Sequence, residues 1–76
     1  MTVLNACAMI KAVPTRLDAI LEAVKKMKEV KKAYLAYGRF DVVAFVELEG
    51  YHEVRAFSTR INALEGVRST ETLVEA

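Results

Sequence analysis

Leu17-Asp18-Ala19-Ile20-Leu21-Glu22-Ala23-Val24-Lys25-Lys26-Met27-Lys28-Glu29-Val30 returns 37 residues downstream as Val54-Arg55-Ala56-Phe57-Ser58-Thr59-Arg60-Ile61-Asn62-Ala63-Leu64-Glu65-Gly66-Val67. In this alignment Leu17 stands on Val54, Ile20 on Phe57, Val24 on Ile61, Met27 on Leu64 and Val30 on Val67. The first four pairs keep the spacing of one helical face, and the fifth opens the segment that follows each helix. Upstream, Ala6, Cys7 and Ala8 fall on Val43, Ala44 and Phe45, so the apolar segment before each helix recurs too. One supersecondary unit is written twice, which predicts a single small domain with internal pseudo-symmetry.

Working outward from the repeat, residues 3–11 read as an apolar strand. Pro14-Thr15 interrupts it, and Thr15 with Asp18 has the spacing of a capping box at the first helix. A second strand is expected over about 30–37, ending at Gly38-Arg39-Phe40, where glycine permits the positive φ of a tight hairpin. A third follows over 41–49, and Gly66 reads as the C′ residue of the second helix before a last strand from Val67 to about Val74. The order βαββαβ predicts an α+β, ferredoxin-like fold with a four-stranded antiparallel sheet. Right-handed crossovers place strands 1 and 3 in the centre and the polar strands 2 and 4 at the edges. Both helices then cover one face. On strand 3, Val42, Ala44, Val46 and Leu48 point one way while Val43 and Phe45 point the other, so the open face is apolar too. That predicts a homodimer packed sheet to sheet.

Seventy-six residues make room for one domain over 1–76. A chain of this size buries only about 60% of its unfolded surface, so oligomerisation is the available reinforcement. Cys7 is the only cysteine and His52 the only histidine, which excludes a disulfide or a structural zinc; no metal and no cofactor are expected. Cys7 sits in an apolar run and reads as a small buried side chain, His52 as a solvent-facing helix residue. The net charge of +1 provides no field for nucleic acid or an anionic membrane, so neither is an expected partner. No apolar run approaches the ~20 residues of a membrane span, and no signal peptide is recognisable, so a cytoplasmic location is expected.

Catalytic groupings are sparse. No base accompanies a serine or cysteine nucleophile, and Glu47, Glu49, Glu71 and Glu75 read as solvated strand charges. The basic run from Lys25 to Lys32 lacks the aromatic platform of an RNA-binding sheet. Two polar constellations stand out: Tyr37-Gly38-Arg39-Phe40-Asp41 at the hairpin, and Gly66-Val67-Arg68-Ser69-Thr70-Glu71-Thr72 entering strand 4. A zwitterionic amino acid needs N–H donors for its carboxylate, an acceptor for its ammonium and an apolar recess for its side chain. Glycine backbone, Asp41 and the hydroxyls supply the polar part. The plainer reading stands beside it: Gly38 makes the turn, Asp41 bonds local backbone, and threonines suit strands.

The run Val30…Tyr34…Tyr37-Gly38-Arg39-Phe40-Asp41-Val42-Val43 resembles the core "aY…G-x-(F/Y)-D-(V/Y)" of the Lrp/AsnC family, and Gly66-Val67-Arg68-Ser69-Thr70-Glu71-Thr72 matches its closing "GV-x-x-T-x-T". The similarity covers essentially the whole chain and is to the effector-binding RAM domain, without the helix-turn-helix of the full regulators. The resemblance implies a stand-alone, non-enzymatic module of transcription regulation. Its dimers would assemble into a ring, bind an amino-acid effector between dimers, and co-assemble with full-length relatives. By position the implied ligand-binding residues are Gly38, Arg39, Phe40, Asp41, Ser69, Thr70 and Thr72, with Tyr37 and Tyr51 in a second tier. Where the family's second helix opens after an acidic residue, this chain has Gly50-Tyr51-His52. A dimeric α+β-barrel enzyme, with Asn5 as the lone strand-1 candidate, and a structural oligomer without ligand are the alternative readings.

Overall fold

A computed structural model describes residues 3–75. The elements run β1 (Leu4–Ala12), a 3-10 turn (Pro14–Arg16), α1 (Leu17–Lys25), β2 (Val30–Leu35), β3 (Val42–Leu48), α2 (Tyr51–Asn62) and β4 (Val67–Val74). The sheet order is β2-β3-β1-β4, with every neighbouring pair antiparallel. This is the expected ferredoxin-like βαββαβ arrangement, with the two apolar strands central.

The repeat carries into three dimensions. Ile20 and Phe57 are both fully buried, as are Val24 and Ile61. The pairs Leu17/Val54, Met27/Leu64 and Val30/Val67 are all partly buried against the same core. Burying each large apolar side chain contributes roughly 1.5–3 kcal/mol, so these four central residues anchor both helices to the sheet. Alanines at 6, 8 and 44 give the helices room to approach its middle. The chain leaves each helix by the same turn: Met27 N–H bonds Val24 carbonyl and Val30 N–H bonds Met27 carbonyl, both at 3.1 Å, and Leu64 to Ile61 and Val67 to Leu64 repeat this at 3.1 and 3.3 Å. A β-bulge follows in both halves, at Lys31 and at Arg68.

In the central strands the 37-residue offset fails. Leu4, Ala6, Ala8, Ile10 and Ala12 face the helices, as do Val42, Ala44, Val46 and Leu48. These inward sets differ by an even number, because strand side chains alternate with period two. The odd offset therefore lays Ala6 and Ala8 on the outward-facing Val43 and Phe45. Chain-length differences between strand and helix in the two halves absorb the mismatch.

Three local expectations need correction. Thr15 is not an N-cap: it lies inside the Pro14–Arg16 turn, which Pro14 starts and the Arg16 N–H to Val13 carbonyl bond (2.9 Å) closes; neither this turn nor α1 has a side-chain cap. Gly66 is not C′ of α2, which ends at Asn62, but the left-handed residue (φ +95°) of the turn into β4. A Cβ there would lie 2.6 Å from Cβ and Cγ of Arg16. The β2–β3 connection is a six-residue loop, 36–41, closed by Ala36 N–H to Asp41 carbonyl at 2.9 Å, and not a tight hairpin. Gly38 does take φ +130°, in open space.

The sheet face away from the helices carries Cys7, Met9, Tyr34, Val43, Phe45 and Leu73. Cross-strand register aligns Tyr34, Val43 and Met9 in one row and Phe45, Cys7 and Leu73 in the next. Phe45 and Leu73 are 43% and 55% exposed, and the Tyr34 and Phe45 rings sit 6.1 Å apart. Cys7 lies half-buried on this face and not in the core; burial pushes its thiol pKa up, the opposite of a reactive cysteine. His52 is solvent-facing, as expected.

Candidate functional site

The C-terminal end of β1 is where the two polar constellations meet. On one side, Asp41 fastens the 36–41 loop. Its N–H donates to Ile10 carbonyl (2.8 Å), its carbonyl accepts from Ala36, and its Oδ2 accepts from Ala12 N–H at 2.9 Å. On the other side, Val13 N–H donates to Gly66 carbonyl (2.8 Å) and Val67 pairs with Ala12, which sets the start of β4.

Between loop and strand lies an open hollow of about 480 Å³, lined by Lys11, Arg39, Phe40, Ser69, Thr70 and Glu71. Arg39, Phe40, Ser69 and Thr70 are thus brought together as the sequence expectation placed them. Lys11 and Glu71 complete the wall and were not anticipated. Lys11 is the one charged residue of β1, and Glu71 falls between the two threonines that alternation turns the other way, but neither pattern by itself points to a shared hollow. Lys11 stands opposite Ser69, and Met9 opposite Glu71, so Lys11 and Glu71 are diagonal neighbours on the open face.

The remaining candidates lie outside the lining. Tyr37 projects fully into solvent, and Gly38 shapes the loop. Asp41 has one carboxylate oxygen committed to Ala12, so its position matches the plainer reading of a backbone-bonding residue. Thr72, outside the lining, and Thr70, within it, both turn their hydroxyls toward α2: Thr70 Oγ1 donates to Asn62 Oδ1, and Thr72 Oγ1 shares a hydrogen bond with Ser58 Oγ, both at 3.2 Å. Tyr51 lies at the N-terminus of α2 with its hydroxyl 3.5 Å from Glu75 carbonyl, and Asn5 holds the Glu75 carboxylate at the same end of the sheet.

The charges of the hollow are unspent. Among the described residues the ion pairs are Arg16–Glu65, Lys31–Glu47 and Arg60–Glu29; Lys11, Arg39 and Glu71 enter none of them. Among the described residues no three His, Cys, Asp or Glu side chains converge as metal ligands. No helix of the described residues is long and apolar enough to cross a membrane.

Comparison with known proteins agrees with the fold. TTHA0845 from Thermus thermophilus superposes with a TM-score of 0.92 at 34% identity, over 96% of this chain and 92% of that one. The protein FFRP-DM1 superposes at 0.90 with 24% identity, over 96% and 99% of the two chains, and thus shares the fold. Escherichia coli AsnC superposes at 0.87 with 19% identity, and this chain spans 50% of its length. No curated protein matches the chain. The family profile described as the Lrp/AsnC ligand binding domain matches residues 5–75. With the profile covering nearly its full length and the loop and β4 motifs meeting at one hollow, the chain belongs to the Lrp/AsnC ligand-binding-domain family.

Proposed function

We propose that this chain is an effector-sensing and oligomerisation module that takes an amino acid into the hollow between the 36–41 loop and β4 and modulates transcription indirectly. The observation that carries the proposal is the meeting of Arg39 and Phe40 with Ser69 and Thr70 around one cavity, at a place where backbone bonds from Asp41 hold the loop fixed. Donors for a carboxylate and an acceptor for an ammonium stand there on strands and on a loop tied down by backbone hydrogen bonds, which lowers the ordering cost of binding.

The open sheet face supports a homodimer. Phe45, Leu73, Tyr34, Met9 and Val43 form a contiguous apolar surface of a kind that monomers rarely leave in water. In this proposal dimers join into a ring, the effector sits between dimers, and its binding shifts the assembly. The proposed route to DNA is co-assembly with full-length Lrp/AsnC regulators.

Calorimetry against the twenty amino acids tests the sensing role, with Arg39→Ala as the control that loses binding without losing the dimer. Light scattering at micromolar concentration tests assembly, and a monomer there ends the dimer proposal. Failure to form mixed oligomers with any full-length relative removes the indirect route.

A further inference from the structure

We propose that the hollow selects an acidic amino acid, a ligand with two carboxylates and one ammonium; this deepens the effector-binding reading above and rests on it. Five of the six lining side chains are polar or charged, and Phe40 is the only apolar one. A leucine-like side chain would strip water from charges it cannot pair. Two cations, Lys11 and Arg39, face one carboxylate, Glu71, leaving a surplus positive charge that matches the net negative charge of glutamate or aspartate. Asp41 stays out of the lining, with its Oδ2 accepting from Ala12 N–H.

The placement suits the three ligand groups. Lys11 and Glu71 are diagonal neighbours on one face yet form no ion pair, so one remains available to a carboxylate and the other to an ammonium. Arg39 lines the hollow from the loop, and its guanidinium is suited to the second carboxylate, where its geometry favours two parallel hydrogen bonds. Ser69, opposite Lys11, adds a hydroxyl that donates or accepts. A basic amino acid would meet the surplus positive charge, and glutamine would leave one cation unpaired.

Calorimetry on the full chain with glutamate, aspartate, glutamine, leucine, lysine and glutarate tests this. The expected result is that glutamate or aspartate binds at least about tenfold more tightly than glutamine, and leucine and lysine more weakly still. Lys11→Ala and Arg39→Ala each weaken the acidic ligand at least about tenfold and bring glutamine level with it. Glu71→Gln weakens glutamate but leaves glutarate, which has no ammonium, unchanged. Tighter binding of glutamine, leucine or lysine overturns the acidic selectivity while leaving the effector reading intact. Absence of binding by all twenty amino acids overturns both. An equal loss of glutarate in Glu71→Gln overturns the ammonium assignment.

Discussion

Ser58 and Asn62 of α2 stand where α1 has Leu21 and Lys25, and Thr70 and Thr72 of β4 stand where β2 has Ala33 and Leu35. The two halves thus dock helix on edge strand with different chemistry. In the first half Leu21 packs on the core above a buried Ala33. In the second, Ser58 with Thr72 and Asn62 with Thr70 form hydrogen bonds across the same layer. Hydrogen bonds fix direction where apolar contacts only fix distance. The strand that needs its outward residues, Ser69 and Glu71, aimed into the hollow is the one whose inward residues are bonded to a helix. Pseudo-symmetry serves the scaffold, and departure from it serves the candidate site.

The equivalence of the two cores is broken hardest by truncating its anchors. Phe57→Ala should cost about 3–5 kcal/mol and Ile20→Ala about 2–5, each in one cooperative urea transition. Two separate transitions would show that the halves are independent units and that the comparison is only formal. The turns come next. Glu29 and Gly66 occupy the same place, but only Gly66 has positive φ, with Arg16 against its Cα. Gly66→Ala should destabilise by about 1–3 kcal/mol, measured by urea midpoint, whereas Glu29→Ala meets no such backbone penalty.

A double-mutant cycle of Ser58→Ala and Thr72→Val sharpens the polar side of the comparison, with an expected coupling of about 0.5–1.5 kcal/mol from thermal or urea unfolding. A coupling near zero would leave Ser58 and Thr72 as a pair that merely replaces leucines. The smallest effect belongs to Glu29, tied to α2 by Arg60, whose guanidinium holds the Glu29 carboxyl below the usual carboxylate range. Its folded-state pKa is depressed, so its contribution is present above the ordinary value of about 4.3 and is lost as pH falls through the lowered one. Arg60 is 46% exposed, and screening keeps the pair below about 1 kcal/mol. Stability of the protein and of Arg60→Ala should therefore differ at pH 7 and converge in acid.

Helix positions and the central placement of β1 and β3 were legible because 3.6-residue periodicity and apolar runs are local signals. Thr15 misled because Pro14 starts a 3-10 turn that outcompetes a side-chain cap, and Gly66 because a left-handed glycine serves a later turn as well as a helix end. The motif residues Arg39, Phe40, Ser69 and Thr70 were legible by resemblance. Lys11 and Glu71 were not, since their part in the hollow depends on which residue of β4 lies opposite which residue of β1.

By itself the sequence determined the βαββαβ order, the buried stripes Ile20/Val24 and Phe57/Ile61, and a sheet with two apolar faces, because burial pattern is written residue by residue. Tertiary structure alone decided that the strands repeat on an even offset and that bulges fall at Lys31 and Arg68. It also turned Asp41 toward Ala12 and joined Lys11, Arg39 and Glu71, residues far apart in the chain, around one hollow. Register is a property of paired strands, and a one-residue change in it reverses every side chain, so no single segment carries that information.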